Sequence, residues 1–129
     1  MALGLVNVYL YMRRAYKYED EATGFYNPMY LQYIKLLEEK GLRKKDVIIS
    51  ISGEGEADAI PKILRQELPK DAEVLHMGGN KYLMFAEGKS RQFADLVKVM
   101  LRDAVEEYNE HNPEAKLKLK TDLISKEDI

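Results

Sequence analysis

Between Asp46 and Thr121 the sequence changes its hydrophobic period four times, and the order of those changes constrains the fold more than any other feature. Asp46 to Ser52 is rich in β-branched residues and reads as a strand. Val47, Ile49 and Ile51 share one face, and Ile48, Ser50 and Ser52 share the other. Gly53 to Ala57 is a loop, Asp58 is a candidate N-cap, and a short helix runs to Leu68 with Pro61 in its first turn. Ala72 to Met77 is a second strand. Gly78, Gly79 and Asn80 signal a hairpin, and Lys81 to Ala86 returns as the partner strand. Ser90 can cap a long helix whose stripe is Phe93, Val97, Met100, Ala104 and Tyr108. Asn112 and Pro113 break it. Ala115 to Thr121 alternates Leu117 and Leu119 with Lys116, Lys118 and Lys120, the pattern of a half-exposed edge strand.

The order β-α-β-β-α-β is that of the ferredoxin-like, split βαβ fold. It predicts an α+β domain with a four-stranded antiparallel sheet and two helices on one face. An extra helix precedes this core. It starts near Pro28, points Tyr30, Ile34 and Leu37 inward, and ends at Gly41. Asp20 to Pro28 is a turn-rich break before that helix. Residues 1–19 are expected to form an N-terminal helix or a signalling linker, 20–122 the domain, and 123–129 a polar tail.

The N-terminal apolar run, Met1 to Met12 followed by Arg13 and Arg14, is shorter than the roughly 20 residues a bilayer span needs. It has two readings. The basic pair suits the cytoplasmic end of a membrane segment. Leu3, Val6, Leu10 and Met12 also suit a helix packing on the domain or on a partner, which is the preferred reading.

Composition removes whole classes of chemistry. The 129 residues suffice for one core. There is no cysteine, which excludes disulfides, cysteine-ligated zinc and thiol catalysis, and the two histidines cannot build a histidine-rich metal site. A net charge of −2 argues against a partner held mainly by phosphate contacts, so no nucleic acid is expected.

Two strings sharpen the reading. One is Asp20, Glu21, Ala22, Thr23, Gly24, Phe25, Tyr26, Asn27, ahead of the first helix of the domain. The other is His76, Met77, Gly78, Gly79, Asn80, Lys81, Tyr82, on the hairpin. Together they resemble the GGDEF domain of the diguanylate cyclases. That family opens on D-x-L-T-G-L-x-N and carries GG(D/E)EF on the hairpin of a ferredoxin-like, nucleotide-cyclase-like core. The resemblance spans about Asp20 to Asp122. It implies a bacterial cyclic di-GMP signalling context and a cytoplasmic location. It also implies an activity that joins two GTP molecules across two protomers, with carboxylates holding Mg²⁺.

The sequence departs from the family at the chemical positions. Gly78 and Gly79 stand, and Tyr82 keeps an aromatic residue. The acidic pair has become Asn80 and Lys81. The metal-binding aspartate of the first strand falls at Ser50, and the next acidic position at Ser52. The guanine-reading stretch after that strand is missing. The positions of the inhibitory product site hold Pro69 and Ala72, with Lys70 and Asp71 out of register. The expectation is a degenerate, catalytically inactive member with no metal and no cofactor. It would serve as a regulatory or dimerisation module, with a homodimer or a partner signalling protein as its target. The alternative is a GTP or ATP sensor whose phosphates contact Gly78, Gly79 and Lys81.

The remaining candidates have ordinary readings. Glu54, Glu56 and Asp58 read as a solvated loop and cap, with cation binding or pairing to Lys81 as the functional option. His76 reads as structural, and His111 suits a helix C-terminus. The lysine comb reads as protection of an edge strand. The early tyrosines, Tyr9 to Tyr33, suit either a dimer surface or internal packing. An RNA-recognition module shares the element order but needs aromatics on the first and third strands. The first strand has none, and Tyr82 and Phe85 face opposite sides. A small-molecule regulatory domain of the ACT type shares the order as well.

Overall fold

A computed structural model of the chain describes residues 17–129. The expected helix over residues 1–19 lies, but for its last three positions, outside the described residues. The elements are α1 (Met29–Glu39), β1 (Asp46–Glu54), α2 (Ala59–Glu67), β2 (Glu73–Gly78), β3 (Lys81–Glu87), α3 (Arg91–His111) and β4 (Lys118–Ile124), with a closing 3-10 turn at Lys126–Asp128. The fold is α+β and ferredoxin-like. Its four strands are ordered β2-β3-β1-β4, every neighbouring pair antiparallel.

The sheet is buried on both faces, and the alternation in β1 decides how. Val47, Ile49 and Ile51 join the larger core beneath α2 and α3, with Ile60, Leu64, Met84, Val97 and Leu101. Ile48 belongs to a smaller core under α1, with Leu31, Ile34, Leu75, Leu83 and Phe85. The helix that precedes the split βαβ core therefore covers the face opposite the other two. Gly53 permits the crossing of α2 over β1: a Cβ there would collide with the Ile60 side chain.

Helix ends follow local chemistry. Leu42 N–H donates to the Leu37 carbonyl (2.8 Å) and Gly41 N–H to that of Glu38 (3.0 Å), which is a Schellman close. Asp58 and Ser90 stand at the N-cap positions of α2 and α3, but neither side chain makes a capping bond.

The structure corrects several details. In α3 the buried stripe is Ala94, Val97, Leu101 and Val105. Phe93, Ala104 and Tyr108 sit on its flank, because the helix packs on α2 and on the sheet together. In α1 the buried pair is Leu31 and Ile34, with Tyr30 beside them. The last strand begins at Lys118 rather than Ala115 and runs on to Ile124. Its start is set by Asn109, which binds the Leu117 backbone at both its carbonyl (2.9 Å) and its N–H (2.8 Å). Segment 123–129, expected as a polar tail, thus begins inside β4. It closes in a capping box at Ser125, and Ile129 packs on the smaller core.

Candidate functional site

The two strings that carry the family resemblance meet in space. Asp20 Oδ2 accepts hydrogen bonds from Thr23 N–H (3.1 Å) and the Thr23 hydroxyl (2.5 Å), which closes the Asp20–Gly24 turn. The same oxygen lies 3.0 Å from His76 Nδ1 on β2, and His76 Nε2 lies 2.8 Å from the Gly79 carbonyl. Both ring nitrogens thus face an acceptor oxygen, one a carboxylate and one a backbone carbonyl. His76 also stacks on Tyr82, with centroids 4.9 Å apart. His76 is thus the residue that joins the Asp20 turn to the hairpin, a role beyond the structural one its place in the sequence suggests. A lone histidine and an aspartate 56 residues apart carry no pairing signal in one sequence.

The rest of the string completes the joint. Tyr26 bridges to Leu75, donating its N–H to the Val74 carbonyl (3.0 Å) and accepting from His76 N–H (2.9 Å). Phe25 meets Tyr82 edge to face, and Arg65 lies over Phe25 while donating to the Thr23 carbonyl. Burial pushes the Asp20 carboxyl up, but the hydrogen bonds from Thr23 and His76 outweigh it and hold it below its ordinary value. Burial, and then the Asp20 charge, raise the Tyr82 phenol.

The hairpin tip is open. Gly78 pairs with Lys81, leaving a two-residue loop of Gly79 and Asn80 with Gly79 at φ +55°. The Asn80 carbonyl accepts from Gly53 N–H (2.9 Å), which ties the loop to β1. Ser52 stands in register with Lys81 on one side and Lys120 on the other, and Ser50 with Leu83 and Asp122. All share the α1 face of the sheet, on which Leu83 belongs to the core under α1. Lys81 makes no ion pair among the described residues, and it does not meet Glu54, Glu56 or Asp58. Glu56 instead accepts the Tyr108 hydroxyl (2.7 Å). No group of three histidine, aspartate or glutamate side chains is placed to hold a metal ion among the described residues.

A separate cleft of about 510 Å³ lies between the Asp20–Pro28 string, the end of α2 and the start of β2. Phe25, Tyr26, Arg65, Lys70 and Glu73 line it, together with Pro69 and Ala72. None of Gly78, Gly79 and Lys81 reaches it. Below it, Arg43 clamps Asp46 through Nε (3.0 Å) and Nη2 (2.7 Å) and reaches Glu73 (2.6 Å), whose other oxygen accepts the Tyr30 hydroxyl. Tyr18 joins Tyr26, Tyr30 and Tyr33 in one aromatic cluster, so four of the early tyrosines pack internally. Tyr9, Tyr11 and Tyr16 lie outside the described residues. His111 Nδ1 sits 2.9 Å from the Glu107 carbonyl in the last turn of α3.

No known family profile matches the sequence, and no curated protein matches it. Solved structures do. The crystal structure of the diguanylate cyclase SiaD with its activator SiaC, from Pseudomonas aeruginosa, superposes with a TM-score of 0.60 at 19% identity, over 81% of this chain and 46% of that one. The S helix-GGDEF-EAL region of LapD from Vibrio cholerae, bound to c-di-GMP, superposes with a TM-score of 0.57 at 14% identity, over 93% and 31%. The chain spans less than half the length of either. The likeness shows a GGDEF-like fold.

Proposed function

We propose that the chain is a degenerate, non-catalytic GGDEF-like module that acts in bacterial cyclic di-GMP signalling by binding a protein partner or a second copy of itself. One observation carries the reading. On a GGDEF-like fold, the hairpin position that the family resemblance gives to a carboxylate holds Lys81, in register with Ser52. Ser50 and Ser52 offer neutral hydroxyls, and Lys81 brings an ammonium beside them. That donor set does not fit a divalent cation, which takes charged oxygen ligands. A solved neighbour of this fold is a cyclase held by an activator protein, which supports a protein partner as the target. The domain on this reading covers 20–122 and acts in the cytoplasm. No described helix is long and apolar enough to cross a membrane.

The test is product formation from GTP and Mg²⁺. No pppGpG and no cyclic di-GMP is expected; either product refutes the proposal. A second reading rests on the hairpin itself. A Cβ at Gly78 or Gly79 would meet nothing within 4 Å, and Lys81 is exposed beside them, so a nucleotide phosphate can approach the backbone. Thermal shift with GTP, ATP and cyclic di-GMP, with and without Mg²⁺, separates the readings. A ligand at about 100 times its Kd adds about 2.7 kcal/mol and raises Tm by several degrees. A shift that Lys81→Ala removes makes the chain a nucleotide sensor.

A further inference from the structure

The sheet has two edges, and they are treated differently. The outer side of β2 is occupied by Tyr26, through the two backbone bonds already described. The outer side of β4 has no strand against it among the described residues. The alternation fixes which of its backbone groups point outward. Gly53 N–H bonds toward the hairpin, so the even residues of β1 bond toward β4. Their partners are Lys118, Lys120, Asp122 and Ile124. Leu119, Thr121 and Leu123 therefore turn their N–H and C=O groups away from the sheet. Leu117, two residues earlier in the same phase, has both groups bound by Asn109 instead of β1, which agrees.

We propose that this edge pairs with the same edge of a second copy, antiparallel about a two-fold axis at Thr121, making one eight-stranded sheet. In that register alone β4 meets its copy with opposite charges paired and no like charges opposed. Thr121 faces its own copy, and Leu119 faces the partner subunit's Leu123. Lys120 faces the partner subunit's Asp122, twice by symmetry. Opposite charges directly across a strand pair are favourable and like charges unfavourable. A slip of the axis by one residue toward the N-terminus brings Lys118 to the partner subunit's Asp122 but opposes Lys120 to its own copy at the axis, and a slip by one toward the C-terminus puts Asp122 against Asp122. A further step toward the N-terminus sets Lys118 against Lys120. Lys120 and Asp122 are both on the α1 face, with side chains 78% and 56% exposed and only a loose 3.9 Å contact between them, so both are free to reach across. The lysine comb, read from sequence as protection of an edge, becomes a register key once Asp122 belongs to the strand. This deepens the reading above by naming the partner and its surface, and it can fail while the non-catalytic reading stands.

The test is sedimentation equilibrium of the full chain, with far-UV circular dichroism to confirm folding. Pairing through seven residues gives a weak, exchanging dimer, so the range runs from about 10 µM to about 1 mM. Thr121→Pro removes an outward N–H that β1 does not use, so the monomer folds and the dimer is lost. Lys120→Asp sets two carboxylates against two carboxylates and weakens the dimer about tenfold. The double variant Lys120→Asp with Asp122→Lys exchanges the signs and restores it. A wild-type chain that stays monomeric throughout overturns the proposal. So does a dimer that ignores all three variants, which would place the contact elsewhere, the N-terminal residues included. Should Thr121→Pro unfold, the loss and rescue by the two charge variants still decides.

Discussion

At Asp20 a single carboxylate oxygen holds a turn closed and fastens that turn to the hairpin 56 residues later. Its bonds come from Thr23 and His76, and its own carbonyl accepts Gly24 N–H at 2.8 Å. Hydrogen bonds to a charged group contribute about 1.5–3 kcal/mol, so Asp20→Asn is expected to cost about 1–3 kcal/mol at neutral pH. The sign of its pH dependence follows from linkage. The folded carboxyl lies below its ordinary value of 3.8. Its contribution is therefore complete above that value and is lost as pH falls through the lower, folded one. Urea denaturation of the wild type and Asp20→Asn should show a stability gap at neutral pH that narrows toward about pH 3. A gap that stays constant across that range would remove Asp20 ionisation from the account.

At the scale of elements, α1 is held to the sheet by few buried residues, and Ile34 is the fully buried one. Ile34→Ala should cost about 2–5 kcal/mol by the combined transfer and cavity terms. Leu36 on the outer side is 45% exposed, and Leu36→Ala should change stability by about 0.5 kcal/mol or less. Equal losses in equilibrium unfolding would mean that α1 does not pack as described. The period-2 alternation in β1 and the double glycine of the hairpin made the order and type of every core element legible in the sequence. Strand and helix boundaries were less so. Lys116 has φ +43°, a conformation that alternation cannot signal, and Asn109 pins Leu117 from 8 residues away, so β4 starts three residues late. The hairpin residues of the candidate site were visible in sequence, because they are contiguous. The Asp20–His76 joint was not, because only the fold brings its halves together.

For the whole molecule, the two faces of the sheet differ in how firmly they are closed. The core under α2 and α3 gathers residues from every strand and both helices, whereas the core under α1 is a small cluster. Polar contacts make up part of that difference. Arg43 clamps Asp46, whose side chain is wholly buried, and Glu73. Glu73 holds Tyr30 of α1, and Lys126 of the closing turn pairs with Glu38 of the same helix. Burial lowers the Arg43 guanidinium pKa, but the bonds to Asp46 and Glu73 outweigh it and raise it, so the clamp stays charged. Arg43→Ala would leave the buried Asp46 carboxylate with only the Lys126 ammonium near, at 3.6 Å, and the part-exposed Glu73 with only the Tyr30 hydroxyl. Removing one partner of such a pair costs about 3–5 kcal/mol. The loss should not be shared evenly. Native-state hydrogen exchange in the wild type should show β1 and β3 amides exchanging only by global unfolding. The α1 amides should exchange through a smaller, local opening. Arg43→Ala should speed α1 exchange more than it speeds α3, because the clamp spans α1 and the sheet and does not touch α3. Equal acceleration of both helices would show that the two cores open as one unit, and that the shared sheet, not the clamp, governs their coupling.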